Sequence, residues 1–237
     1  MHEDYFALQL TLAEHYASVA NVSLDLAIDR CTNLRRRLNL SGPAGAAAWA
    51  GVLKFANAPP NSMAAVLQKC LQLQTSHVTK APPSAFGCFS YDAPDDAGTV
   101  RIHFMPPDRP DSSPLSRANL SQRHDELCAM FSHIRRVERR AQAVRGVSWL
   151  YNLSAYQRLF PGDYIASIAS PRFPVHLNGS STWGQVLDWR HRVKPEMQSA
   201  LICRMPHMRA DAPWEIFPLQ ALTAHCAIGA FYARYTR

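Results

Sequence analysis

The stretch that decides the fold runs from Phe86-Gly87-Cys88-Phe89-Ser90-Tyr91, through a polar segment over 92–98, to Val100-Arg101-Ile102-His103-Phe104. Apolar and polar side chains alternate in both flanks, which is the period of a β-strand. The segment between them is rich in Asp, Pro and Gly and is typical of a turn, so the sequence predicts a β-hairpin. Symmetric pairing, in which partner numbers sum to 191, would place Cys88 opposite His103.

Helices are predicted on both sides of this hairpin, because apolar residues recur there at spacings of three and four. The expected helices cover 4–19, 23–38, 46–56, 62–75, 117–137, a short segment from Ser154 to Phe160, 182–192, 195–205 and 218–235. Further strands are expected over 142–151 and 163–169, and a loop rich in Pro, Asp and Ser over 106–116.

This order of elements predicts an α+β fold with a small, mainly antiparallel sheet of about four strands. Helices would pack on the sheet, and helical additions would precede and follow it. We expect a single domain over 1–237, because no long flexible linker divides the chain. Within it, 1–80 would form a helical part, 84–170 a mixed α/β core and 180–237 a second helical part.

The composition indicates a globular protein, since 47% of the 237 residues are apolar and 18% are charged. No apolar run approaches the roughly 18 residues that a membrane-spanning helix needs. The acidic start, Met1-His2-Glu3-Asp4, also differs from a basic secretory signal. These features predict a cytoplasmic protein without a membrane span.

The formal net charge of +7 lies in the second half of the chain, because residues 1–118 hold ten basic and ten acidic side chains. Arginine supplies 21 of the 25 basic residues and suits anionic partners, although GC-rich codons would give the same excess. A cluster of Arg135, Arg136, Arg139 and Arg140 closes the predicted helix over 117–137. It could hold phosphate, nucleic acid or an acidic protein, or simply stabilise the end of the helix. Nucleic acid is disfavoured, because no recognised fold or aromatic-interleaved motif accompanies the charge.

Standard metal and nucleotide motifs do not occur in the sequence. The six cysteines form no CxxC pair and have no zinc-ligand spacing, which predicts reduced thiols and no metal site. No phosphate loop, dinucleotide fingerprint, HExxH or GxSxG is found, so the motifs indicate no cofactor.

The most distinctive segment spans 145–161, where a strand end is crowded with Ser, Trp, Tyr, Asn and Arg. Aromatic rings offer stacking surface and arginines can clamp an anion, which is typical of a ligand rim. The candidate ligand-binding residues are Arg145, Trp149, Asn152, Tyr156 and Arg158. The structural alternative is that the aromatic residues only pack in the core or at its edge.

A second candidate is the thiol of Cys88, which His103 could deprotonate if the two residues face each other across the hairpin. Arg101 would then favour the thiolate. The alternative is an inert cysteine beside a hydrogen-bonded histidine.

Residues 99–168 also resemble the second half of bacterial GNAT-like acyltransferase-domain proteins. The resemblance is carried by 100–104, Pro114-Leu115, the helix over 117–137, Ser148-Trp149-Leu150 and Leu159-Phe160-Pro161. The chain departs from that pattern at Gly146-Val147 and Gly162-Asp163, and it has no acyl-CoA pyrophosphate loop. The whole chain resembles a broader set of proteobacterial proteins, a resemblance that brings no activity with it.

The resemblance implies a small anionic or acyl-bearing ligand, with acyl-CoA as the cofactor and acyl transfer as the reaction. In that reading Arg145 and Arg158 clamp an anionic group, His103 is the base, and Ser148 or Tyr151 orients the substrate or donates a proton. The rival hypothesis is a non-catalytic binding or adaptor protein that uses an Arg-rich surface toward an acidic protein or a nucleic acid. The missing acyl-CoA loop favours the rival.

Overall fold

The computed structural model describes residues 3–57, 62–76, 84–106 and 112–236, so part of the predicted loop over 106–116 lies outside the described residues. The helices are α1 (Glu3–Ala20), α2 (Leu24–Cys31), α3 (Leu34–Arg37), α4 (Pro43–Lys54), α5 (Ser62–Ser76), α6 (Leu120–Val137), α7 (Ser154–Gln157), α8 (Gly162–Ala166), α9 (Ser180–Trp183), α10 (Pro195–Arg204) and α11 (Ile228–Tyr235). The strands are β1 (Phe89–Asp92), β2 (Thr99–Phe104), β3 (Ala143–Ser148) and β4 (Leu222–Ala227).

The four strands form one sheet in the order β1-β2-β3-β4. Strands β1 and β2 are antiparallel, β2 and β3 are parallel, and β3 and β4 are antiparallel. The parallel pair is joined through α6, as a parallel connection requires a crossover. The predicted α+β fold with a small, mainly antiparallel sheet is confirmed.

The described residues form two compact units. The first comprises Met1–Lys80 and Phe173–Gln220, and the second comprises Ala81–Arg172 and Ala221–Arg237, which includes the sheet. The expectation of one domain over 1–237 stays a prediction.

The core of the second unit lies between the inner face of the sheet and the helices α6 and α11. Phe131 of α6 stacks on Phe231 of α11 with ring centroids 4.5 Å apart. Predicted core residues Leu127, Phe131 and Ile134 are fully buried, whereas Leu120 is exposed. Helices α6 and α11 therefore cover the inner face of the sheet.

The first unit shows why the helix predicted over 23–38 is two helices. Gln9 Oε1 accepts the backbone N–H of Asn33 at 2.7 Å, and the Tyr5 hydroxyl donates to Asn33 Oδ1 at 3.2 Å. The Trp183 indole N–H donates to the Cys31 carbonyl at 2.9 Å. Gln9 and Trp183 thus take backbone groups that a continuous helix would pair internally, and Tyr5 holds the Asn33 side chain, so α2 ends at Cys31.

Two predicted helices in the last third are only partly formed, because α9 and the 3-10 turn after it end at Val186, and α11 begins at Ile228. The segment over 182–192 instead contains a turn in which Asp188 Oδ1 accepts the N–H groups of Arg190 and Arg192, a local bond that competes with a helix. The segment over 218–235 begins with strand β4, which pairs with β3 along six residues, and only α11 is helical. The antiparallel partner along β3 outweighs the local helical pattern.

The strand predicted over 163–169 is also wrong, because α8 occupies Gly162–Ala166. The Ile165 N–H donates to the Pro161 carbonyl at 3.1 Å, which begins the helix directly after the proline. Only Ala169 bridges to the sheet, opposite Thr223 of β4.

Candidate functional site

The hairpin register differs from the prediction by two residues. Ser90, not Cys88, lies opposite His103, and the paired numbers sum to 193. A shift of two residues keeps the side chains within β1 and β2 on their predicted faces. Cys88 is the exception, because it precedes β1 and is buried in the core rather than facing His103.

His103 and Cys88 accordingly have different partners. His103 Nε2 lies 2.9 Å from Asp92 Oδ2 in a half-exposed position. The Cys88 side chain is buried, and its backbone N–H donates to Glu126 Oε2 at 3.1 Å. Burial, together with the Glu126 carboxylate, raises the pKa of the Cys88 thiol to about 12 although Arg123 lowers it. A thiol in this state is a weak nucleophile near neutral pH.

Strand β3 ends at Ser148, three residues before the end of the strand predicted over 142–151. The Ser148 hydroxyl accepts the Leu150 N–H at 3.1 Å and caps a 3-10 turn over Trp149–Asn152. The Asn152 amide donates to the Trp149 carbonyl at 2.7 Å within the same turn. The polar groups at this strand end therefore support the turn itself.

Tyr151 and Tyr156 belong to the core of the second unit, at 1% and 3% exposure. The hydroxyls of Tyr151 and Tyr164 are 2.7 Å apart, and this pair lies against Gly146, where a side chain would overlap both oxygens. Burial, with smaller contributions from neighbouring tyrosines, raises the pKa of Tyr151 and of Tyr156 well above the ordinary value. Both hydroxyls are closed to solvent in this structure.

Arg158 is tied to the protein backbone. Its Nη2 donates to the Leu115 carbonyl at 2.6 Å, and its Nε is buried without a hydrogen-bond partner. Arg123, from α6, lies close to the neighbouring carbonyl of Pro114 at 3.5 Å and pairs with Glu126 at 2.6 Å. Two arginines thus hold the chain at 114–115.

The predicted catalytic residues His103, Ser148 and Tyr151 and the predicted ligand-binding residue Arg145 lie on different faces of the sheet. Arg145 is exposed, whereas Val144 and Gly146 on either side of it are buried, so Arg145 and Tyr151 lie on opposite faces of the sheet. His103 shares the outer face with Arg101, while Ser148 alternates with Val147 and falls on the inner side. The roles assigned to these residues stay predictions.

The structure does bring charged residues together on the outer face of the sheet. Asp92 pairs with Arg101, Arg101 with Arg145, and Arg145 with His225, one residue from each strand. All four residues are exposed. We call them the transverse row. Neighbouring strands lie about 4.8 Å apart, so the basic members span roughly 10 Å.

A second group of arginines lies beside the transverse row. Arg136, Arg139 and Arg140 are exposed at the end of α6, in the connection that enters β3. The Gln142 and Ala143 N–H groups donate to the Gly98 carbonyl, so this connection lies at the edge where β2 and β3 begin. We call these three residues the arginine edge. The fourth predicted member, Arg135, donates to the Thr236 hydroxyl at 2.9 Å.

Two acidic groups at the same edge have internal partners, whereas Asp96 of the hairpin turn is exposed. Asp95 Oδ1 accepts the N–H groups of Ala97 and Thr99 within the hairpin turn. Glu138 accepts the Tyr91 hydroxyl at 3.2 Å. These bonds hold the two carboxylates in the turn and against the hairpin.

The sequence carried one signal for the transverse row, the alternation of Arg101 and His103 in a strand. The fourth member of the row, His225, was missed because the sequence analysis predicts a helix over 218–235. The alternating pattern of a strand over 222–227 was not recognised. The parallel pairing of Arg101 with Arg145 joins residues on either side of α6, which local patterns do not indicate.

The described residues contain no group of three or more metal-ligating side chains. Within the same residues, no helix combines the length and apolar character needed to cross a membrane. All six cysteines are free thiols, with Cys31, Cys70 and Cys88 buried and Cys203 exposed. Comparisons of the chain with protein-family models, curated proteins and solved structures found no match.

Proposed function

We propose that this protein is a non-catalytic binding protein that recognises an acidic segment of a partner protein through the transverse row and the arginine edge. The observation that carries the proposal is the alignment of Arg101, Arg145 and His225 across three strands on an exposed sheet face. Charge complementarity of this kind steers a partner and fixes its orientation.

An acidic polypeptide suits this surface better than a nucleic acid. Single-stranded nucleic acids are held by aromatic side chains on which bases stack, in addition to a basic groove. The residues that share the outer face with the row are Ser90, Thr99, His103, Ala143, Val147, Thr223 and Ala227. None of them has a base-stacking ring except the imidazole of His103, which pairs with Asp92.

A second candidate is the small acyl-bearing ligand that the resemblance to GNAT-like proteins implies, with acyl-CoA as the cofactor. It is favoured by the ladder between β2 and β3, which covers only the pairs from Thr99–Ala143 to Arg101–Arg145. Beyond that point β2 stays paired only with β1, and β3 stays paired only with β4. The carboxyl ends of β2 and β3 therefore separate. The Tyr156 ring contacts both Phe104 and Tyr151 there, at 5.4 Å, and would have to move for a ligand to enter. A cytoplasmic location belongs to both proposals.

The test measures binding of a labelled glutamate-rich peptide and of labelled single-stranded DNA by fluorescence anisotropy. Binding of acetyl-CoA is measured in parallel by thermal shift. We expect peptide binding that weakens with added salt, because exposed charges are screened. The triple variant Arg136→Ala, Arg139→Ala, Arg140→Ala should lose at least about tenfold in affinity, equivalent to about 1.4 kcal/mol. Arg101→Ala should weaken binding in the same direction.

The matched control is Arg117→Ala, which removes an exposed arginine from the turn before α6, at the end of that helix away from the arginine edge. It should leave the peptide affinity within about twofold of the wild type, since it lies outside the surface. Equal losses in the control and the triple variant would refute a defined site. Binding of DNA without peptide would replace the proposal by the nucleic-acid alternative, and a shift only with acetyl-CoA that Arg145→Ala abolishes would support the acyl-ligand candidate.

A further inference from the structure

A second basic site lies in the first unit, independent of the proposed function. Asp29, Arg35, Arg36, Ser41 and Asn178 line a concavity of about 240 Å³, which we call the arginine pocket. This volume is just below the roughly 300–1,000 Å³ of typical small-molecule sites, so only a small ligand would fit. Arg35 and Arg36 also lie near the end of the helix predicted over 23–38, where cations are favourable without any ligand.

The backbone of this region is built to hold Arg35 in place. Two residues after helix α3, Asn39 has φ +57°, and the Leu40 N–H donates to the Arg35 carbonyl at 2.9 Å. The Arg35 Nε then donates to the Leu40 carbonyl at 3.0 Å. Gly45 lies so close to the Leu40 backbone that a side chain there would overlap it. The guanidinium is therefore fixed through Nε, while its two Nη groups form no hydrogen bond with another described residue.

The Asp29 carboxylate in the lining is also held in place. The buried Trp49 indole donates to Asp29 Oδ1 at 2.7 Å, which orients the carboxylate. Asp29 Oδ2 can still accept a hydrogen bond from a ligand. Ser41 and Asn178 add an exposed hydroxyl and an exposed amide.

We infer that the arginine pocket binds a small oxyanion that also carries a hydroxyl or amino group. Guanidinium groups recognise carboxylate and phosphate oxygens through paired N–H donors, and Arg35 and Arg36 supply two such groups. Asp29 would accept the hydrogen bond of the donor group on the ligand. A simple anion without a donor would meet this carboxylate unfavourably, so the pocket should prefer the bifunctional molecule.

The Trp49 indole N–H gives a direct readout, because its acceptor Asp29 lines the pocket. Titration of the full chain with glycerol 3-phosphate, serine and inorganic phosphate would be followed in ¹H–¹⁵N spectra at constant ionic strength. Trp49→Phe assigns the resonance among the five tryptophans. We expect the Trp49 signal to move, and that of Trp183, whose indole donates to the Cys31 carbonyl, to stay in place.

Arg36→Ala should weaken binding of the best probe at least about tenfold, which corresponds to about 1.4 kcal/mol. Arg30→Ala is the matched control, since Arg30 is exposed beside Asp29 and does not line the pocket. A preference for glycerol 3-phosphate over serine would identify phosphate as the anion, and the reverse would identify carboxylate. The inference is overturned if no probe moves the Trp49 signal, if inorganic phosphate binds as well as the bifunctional probes, or if Arg30→Ala and Arg36→Ala weaken binding equally. None of these results depends on peptide binding at the sheet.

Discussion

Gly146 shows how one residue sets the packing of the second unit. It lies in β3, where the paired hydroxyls of Tyr151 and Tyr164 approach the strand so closely that a Cβ atom would overlap both. The sequence placed Tyr151 in a strand end whose crowding with Ser, Trp, Asn and Arg is typical of a ligand rim. The Tyr151 hydroxyl instead pairs with the Tyr164 hydroxyl against Gly146. The local sequence pattern does not indicate this contact.

Gly146→Ala should therefore destabilise the protein by about 1–3 kcal/mol, the usual result of overpacking a core. The control is Gly229→Ala in α11, where a Cβ would meet no atom within 4 Å. Alanine is favoured over glycine in a helix, so the control should stabilise by about 0.5–1 kcal/mol. Urea unfolding followed by circular dichroism measures both variants. A Gly146→Ala protein as stable as the wild type would show that the tyrosine pair can move aside.

Among the helices and strands, the sequence patterns predicted the elements that are stabilised mainly by interactions close in the chain. Helices α1, α5 and α6 and strand β2 were predicted closely because one amphipathic period runs through each of them. The break between α2 and α3 was missed, because Gln9, Tyr5 and Trp183 reach it from outside the local sequence. The same reason hid β4, whose partner strand precedes it by some eighty residues. The candidate site was the part least predictable from the sequence, because its residues come together only through pairings between strands that are distant in the chain.

A buried ion pair on α6 holds the residues that lead into β1. Arg123 and Glu126 have side-chain exposures of 5% and 11%, and Glu126 also accepts the Cys88 N–H. Gly87, at φ +63°, lies directly against the Glu126 side chain. The pair thus fixes the entry into the hairpin.

Arg123→Met should cost about 3–5 kcal/mol, because it leaves the Glu126 carboxylate buried without its partner. Adding Glu126→Gln removes that charge and keeps an acceptor for Cys88, so the double variant should regain part of the loss. Arg117→Met, on the exposed turn before α6, should stay within about 0.5 kcal/mol of the wild type. Chemical denaturation of the four proteins checks this order. A double variant less stable than Arg123→Met alone would contradict a charge-based explanation.

At the scale of the whole molecule, the second unit is discontinuous in sequence, because Phe173–Gln220 belongs to the first. Its two pieces nevertheless meet at a defined point. Ala169 and Thr223 form an antiparallel bridge in which each N–H donates to the carbonyl of the other, at 3.0 and 2.9 Å. Arg172 and Ala221 therefore follow and precede residues that are paired in space. Close chain ends of this kind are what permit one domain to be inserted in another.

A chain in which Ala81–Arg172 is joined to Ala221–Arg237 by a short Gly-Ser linker should fold on its own. It retains all four strands and the core between α6 and α11, including Phe131 on Phe231. A matched fragment that ends at Arg172 lacks β4 and α11, so it leaves one edge of β3 and the face of α6 uncovered, and it should not fold. Circular dichroism and thermal unfolding distinguish the two outcomes. If the linked chain unfolds cooperatively and the fragment does not, this unit is an independent domain. If neither chain folds, the result supports the single domain over 1–237 that the sequence predicts.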